Sequence, residues 1–410
     1  MEAISHLTTG LELLKTLPET AERTQQELPL HIALGVSLLA TKGYAAPEVE
    51  QTYRYARQLC QHLEDPYQLF PVLRGFHLYY YVRAELQTAH ELSEQLLILA
   101  QQAQDPVMLV VAHHALGMTL HFMGAVAAAH THFAQGMALY DPQQPRASVF
   151  LYGENAGVMC HSSAAMTLWY LGYPDQGLAR SDEAVTLAQQ SAYPFSLCFA
   201  LDMAAIFHAS LREVRTAQER AEAAISLAQE QGFPHWKAFG SIMRGWALVH
   251  QGQAQEGIAQ ISQGLTTYRA TGAELHRSYF LTLLAEAHGA MEQPEAGLMV
   301  LTEALTLTDK IGVRCSESES YRLKGELLLQ LSSDHQAEAG NCFHHAIRIA
   351  QSQQAKSWEL RAATSLARLW QQQGKRQEAY DLLAPVYNWF TEGFDTADLQ
   401  EAKALLEALA

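Results

Sequence analysis

Residues His113–Gly136 read HHALGMTLHFMGAVAAAHTHFAQG, and this stretch decides the architecture. Gly117 sits inside an apolar run, Gly124 breaks it, and Ala129, Phe133 and Gly136 follow at helical spacing. Residues three, four and seven apart share one face of a helix. The stretch therefore reads as two antiparallel helices joined at Gly124. Gly117 lets the second helix approach the first, and Phe133 fills the gap between them. Glycine suits the position just past a helix end, where the backbone turns left-handed.

Working outward, the small residue at Ala129 recurs. Ala89, Ala129, Ala217, Gly257, Gly297, Ala339 and Ala379 mark the period, and most steps are 40 residues. The step from Ala129 to Gly177 is 48, and that from Gly297 to Ala339 is 42. Seven residues after each marker comes a second, mostly small residue: Leu96, Gly136, Ala184, Ala224, Gly264, Ala304, Ala346 and Val386. A fixed period of this kind means a solenoid, and these small and large positions match the tetratricopeptide pattern. His113 and Leu120 stand where that pattern usually has an aromatic pair. The repeat is longer than the usual 34, so the helices should run about 16–19 residues each. The predicted fold is all-α, a tetratricopeptide-like α-solenoid. It is a right-handed superhelix of about nine helical hairpins with ~40-residue repeats.

The chain reads as a single solenoid over 1–410. A leading half-repeat occupies 1–17, about nine repeats span 30–391, and a capping helix covers 395–410. Leu399, Ala402, Leu405, Leu406 and Leu409 form the buried stripe of that cap, with Asp395-Thr396 as its N-cap. Pro142 and Pro145 forbid helix and predict an insertion loop near 141–148. Pro29 predicts a kink or a restart. The opening half-repeat has no first helix before it. The expectation is that the array starts mid-repeat, leaving an uncapped N-terminal end through which oligomers could form.

Apolar residues make up 49% of the chain, enough to bury a long core. The net charge of −16 argues against nucleic-acid partners, which need clustered Lys and Arg. Cys60, Cys160, Cys198, Cys315 and Cys342 are scattered, and none makes a CxxC pair, so reduced thiols are expected. Met1-Glu2 opens no secretory signal, and the uncharged run Asn155–Pro174 reads as a buried helix, not a membrane span. The expected location is cytoplasmic. No GxxxxGK[ST], GxSxG or HExxH motif occurs, so an enzyme is not expected and neither is a cofactor. His113, His114 and His121 cluster, and His344-His345 form a pair. No acid or thiol at suitable spacing completes a metal set, so no metal is expected.

In arrays of this pattern the first helix of each unit lines an inner groove. The inner positions give Arg74, Tyr81, His114, Met118, His121, Met166, Trp169, Trp246, His250, Lys324, Arg361 and Arg368. The middle of this set is rich in Met, aromatic and His side chains, which adapt to peptides or helices. The C-terminal end is basic, which suits an acidic terminus or motif.

Several segments resemble a known family. They include Leu171-Gly172-Tyr173-Pro174-Asp175-Gln176, Arg244-Gly245-Trp246-Ala247, Tyr321-Arg322-Leu323-Lys324-Gly325-Glu326-Leu327-Leu328 and Gly393-Phe394-Asp395-Thr396-Ala397-Asp398-Leu399. Together they resemble the tetratricopeptide C-terminal region of bacterial multidomain signalling proteins. In those proteins a class III adenylate/guanylate cyclase and a STAND ATPase precede the array. The resemblance implies a non-enzymatic regulatory scaffold, the sensing or docking arm of a signalling protein. Its partner would be a protein or peptide, including the cyclase or ATPase domains of the same polypeptide, and not nucleic acid or membrane. The alternative is a small-molecule effector sensor using the same groove. A small-molecule site needs a closed, mostly apolar pocket of roughly 300–1,000 Å³, whereas a peptide site is an open channel.

Overall fold

A computed structural model describes residues 2–60, 65–142, 149 and 151–410. Among these residues the structure holds twenty α-helices and no strand. Residues 143–148 of the predicted insertion loop lie outside the described residues.

The helices alternate between an inner and an outer layer. The inner ones include Pro66–Val82, Pro106–Phe122, Ala156–Leu171, Pro194–Ser210, Pro234–His250, Arg277–Ala290, Glu317–Leu331 and Lys356–Gln372. Local chemistry explains where they begin. Proline stands in the first turn of Pro66–Val82, Pro106–Phe122, Pro194–Ser210 and Pro234–His250, where its missing N–H leaves no helical bond unmade. Asp105 caps Pro106–Phe122 by accepting from the amides of Val107 (2.8 Å) and Met108 (3.0 Å).

The hairpin read from 113–136 is present as Pro106–Phe122 and Val126–Leu139. A Cβ on Gly117 would lie 2.6 Å from the Phe133 ring, so no other residue fits while Phe133 fills that gap. Gly325 and Phe343 repeat the lock at 2.4 Å in a later unit.

Pro29 neither restarts nor ends its helix, which runs unbroken over Ala21–Lys42. Its flanking residues Glu27 and Leu28 are buried, and that packing outweighs the lost hydrogen bond. The terminal helix is Ala397–Leu409, and Leu399, Ala402, Leu405 and Leu409 are its buried stripe. Thr396 holds the N-cap position without capping, because its hydroxyl donates to the Gly393 carbonyl.

The superhelix winds tightly enough for successive turns to touch. Glu274 and Leu275 donate their amides to the Val82 carbonyl (2.9 and 3.1 Å), and Arg314 donates to the Phe122 carbonyl (2.7 Å). Ser357 Oγ donates to the Trp169 carbonyl, 188 residues away, and Arg361 to that of Ser210 (2.6 Å). Each acceptor lies at or near the end of an inner helix, where backbone carbonyls lack some of their helical partners, the Trp169 carbonyl keeping the Gly172 amide (3.0 Å). The next turn supplies those partners. The first turn thus meets the second along a hydrogen-bonded seam.

Candidate ligand chamber on the superhelix axis

Inner helices of both turns surround one cavity of about 90 Å³. Its wall is mostly apolar and aromatic, with Met118, Met166, Phe199, Met203 and Ile206 beside Tyr81, Tyr170, Trp236 and Tyr279. The cavity is neither an open channel nor a pocket of drug size. The reason is the seam: side chains of the second turn occupy the space that a single turn would leave as a groove.

Of the sequence-predicted residues, Tyr81, His114, Met118, His121 and Met166 converge on this chamber. Arg74 stands directly behind the wall. It is 1% exposed and donates through Nε to Glu154 (3.1 Å), whose carboxylate lines the chamber. Its other nitrogens reach His77 Nδ1 (3.0 Å) and His114 Nδ1 (3.4 Å). Burial and the adjacent Arg74 charge push His77 and His114 well below the ordinary histidine range, so both rings are neutral. Burial alone takes His121 down to about 4.

The other predicted residues do not line the chamber. Trp169 packs edge-on against Trp358 of the next turn, with centroids 4.7 Å apart. Arg361 lies over both rings, at 5.2 and 5.1 Å. Trp246 stacks near His250, and its indole N–H donates to Glu286 (3.2 Å). Burial favours the neutral form of Glu286, but His250, Arg322 and Arg361 outweigh it and hold the carboxyl at about 2. Lys324 is half-buried on Glu317–Leu331.

The basic C-terminal end corrects an expectation. Arg361 pairs with Asp398 (2.7 Å) and Glu319 (3.7 Å), and Arg368 pairs with Glu401. Arg212 of the first turn joins the same carboxylates, 3.1 Å from Asp398 and 2.9 Å from Glu401. Arg361 is largely buried in this network, and Arg368 and Arg212, though partly exposed, are already paired with the terminal helix and so do not form a free basic end.

Sequence reasoning missed Tyr44, Glu154, His235, Trp236 and His276, all of which line the chamber. Tyr44 meets His235 at 5.3 Å and Trp236 at 5.9 Å, although about 190 residues separate them along the chain. The 40-residue period carries no signal for such a meeting.

All five cysteines are buried and unpaired. Among the described residues no group of three or more His, Cys, Asp or Glu side chains could hold a metal ion. No described helix is long and apolar enough to cross a membrane.

No family profile matches the sequence, and no curated protein does. Solved structures match the fold. A Rap protein complexed with Competence and Sporulation Factor superimposes with a TM-score of 0.63 at 11% identity, covering 86% of this chain and 97% of that one. The Rap conjugation gene regulator of the plasmid pLS20, in complex with the Phr* peptide, gives 0.51 at 10% identity, over 93% and 98%. These likenesses, the helical hairpins and the small-residue period define the class: an all-α, tetratricopeptide-like solenoid.

Proposed function

We propose that this chain is a non-catalytic regulatory module that holds a peptide or protein segment on the axis of its superhelix. One observation carries the reading. Tyr81, His114, Met118, His121 and Met166, placed on three inner helices by the repeat, converge on the same chamber. The two matched solenoids support it by analogy, since each was solved with a bound factor or peptide. The family resemblance supports the finer reading of a sensing or docking arm in a bacterial signalling polypeptide. A second reading, a small-molecule effector sensor, is favoured by the mostly apolar wall drawn from both turns.

Selection from a displayed peptide library against the purified chain tests the first reading. Met118 lies half-buried on the chamber wall, so Met118→Trp fills the cavity at the cost of roughly 1–3 kcal/mol of overpacking. Selected peptides should carry a large apolar anchor and lose affinity tenfold or more on this variant, with its helicity retained. Peptides that bind both proteins equally would exclude the axis as their site.

A further inference from the structure

We infer that the chamber is a site for an uncharged, single-ring apolar group bearing one hydrogen-bond-accepting oxygen. This deepens the axial reading above and rests on it. Tyr81, His121, His235 and Trp236 line the chamber and are at least nine-tenths buried, at 2%, 9%, 4% and 4% exposure. Tyr81 Oη, His121 Nδ1, His235 Nδ1 and Trp236 Nε1 have no hydrogen-bond partner among the described residues. Nearly all buried polar groups in folded proteins are paired, so four unpaired atoms on residues of one wall need an account. An indole N–H only donates, and a phenol O–H donates readily. Their missing partner is therefore an acceptor, such as a hydroxyl or carbonyl oxygen.

The four groups belong together. His121 and Tyr81 flank the Phe122 ring at 5.1 and 5.6 Å, and Phe122 touches His276 at 5.0 Å. His235 and Trp236 meet at 4.7 Å. Phe239 links the two pairs, with its ring 5.8 Å from Trp236 and 5.0 Å from His276.

Glu154 is the one lining residue with a formal charge, and Arg74 already pairs with it. Burial pushes His235 down to about 3, so that ring adds no charge at neutral pH. An ion entering this wall would meet no free counter-charge, which opposes burial of carboxylates and ammonium groups alike.

An apolar cavity of about 150 Å³ accepts benzene, and this one measures about 90 Å³. Met118, Met166 and Met203 in the wall are flexible thioethers that can yield the difference. A phenol-like ring fits these conditions. It could arrive as a free small molecule or as the tyrosine side chain of a bound peptide.

The test titrates the full chain with p-cresol, toluene and benzoate, followed by calorimetry. p-Cresol should bind about tenfold tighter than toluene, as one hydrogen bond in a buried site predicts, and benzoate should not bind. Tyr81→Phe and Trp236→Phe each keep a ring in place. Both should shrink the preference for p-cresol over toluene, measured as the ratio of the two affinities within each variant. Equal binding of p-cresol and toluene overturns the inference, and so does benzoate as the tightest ligand. A preference that survives in both variants also overturns it, because water would then be the partner of these atoms. The source is read from a selected peptide: a tenfold loss on changing its tyrosine to phenylalanine assigns the ring to the peptide. The two readings fail separately. If p-cresol shows no preference while selected peptides still lose affinity on Met118→Trp, only the ligand chemistry falls. If p-cresol binds as predicted while those peptides ignore Met118→Trp, only the peptide reading falls.

Discussion

The amide of Arg314 donates to the carbonyl of Phe122 at 2.7 Å, joining two turns of the superhelix. Arg314 lies outside any helix, between Pro294–Ile311 and Glu317–Leu331. Its amide should nevertheless exchange slowly with solvent, within about tenfold of neighbouring helical amides, since opening it requires parting the turns. Native-state hydrogen exchange checks this. Exchange at the rate of a free loop amide would mean that the seam is open in solution.

Two glycines separate seam packing from backbone strain. Gly272 and Gly312 both have positive φ, at 78° and 72°. A Cβ on Gly272 would lie 2.7 Å from the Ala45 carbonyl oxygen of the previous turn, whereas one on Gly312 would meet nothing within 4 Å. Gly312→Ala should cost only the left-handed penalty of roughly 1 kcal/mol. Gly272→Ala should cost about 2 kcal/mol more, because the seam must shift. Urea denaturation of the two variants gives the difference, and equal costs would count against the contact.

Arg74 and Glu154 are 1% and 4% exposed and pair behind the chamber wall. Arg74→Met leaves Glu154 buried without its partner and should destabilise by roughly 3–5 kcal/mol. Adding Glu154→Gln removes the stranded charge and should recover much of that loss. No recovery in the double variant would show that Arg74 acts through packing alone.

Acid should weaken the fold before any ordinary carboxylate titrates. Burial holds His121 at about 4 and His235 and His276 at about 3, with His77 and His114 also well below their usual range. A histidine with a lowered folded pKa binds its proton more readily in the unfolded chain. The unfolded state is then favoured as pH falls from about 6.5 toward 4. Asp202 opposes this trend. Buried and without a partner among the described residues, its carboxyl is pushed well above the usual range, so its proton favours the folded state as pH falls. Five histidines outweigh one aspartate, and the denaturation midpoint should drop between pH 6.5 and 4.5. Asp202→Asn should raise stability at pH 7.5 and do little at pH 4. A midpoint that stays flat across this window would contradict the buried, neutral histidines.

The repeat was legible because the chemistry of helix crossing is local. Gly117 must be small because Phe133 fills the space beside it, and Gly325 with Phe343 repeats that pair in a later unit. The same reasoning placed Tyr81, His114, Met118, His121 and Met166 on the inner face. The pitch of the superhelix was not legible, because it accumulates from small rotations between repeats and leaves no motif. Tyr44, His235 and Trp236 meet only through that pitch. Arg361 and Arg368 were read as a free basic end for the same reason. Glu401 of the terminal helix pairs with Arg368 and with Arg212 of the earlier turn, a meeting that depends on the same pitch.

Everything in this account depends on the two turns stacking around one axis, and small-angle X-ray scattering tests that most directly. A compact chain of this length has a radius of gyration of about 22 Å. The same twenty helices as an untwisted two-layer row, about ten inner–outer pairs spaced about 9 Å apart, would span roughly 90 Å and give a radius of roughly 30 Å. The stacked superhelix predicts a value within a few ångströms of the compact limit. A value close to that of the untwisted row would show turns that stand apart, with no chamber between them.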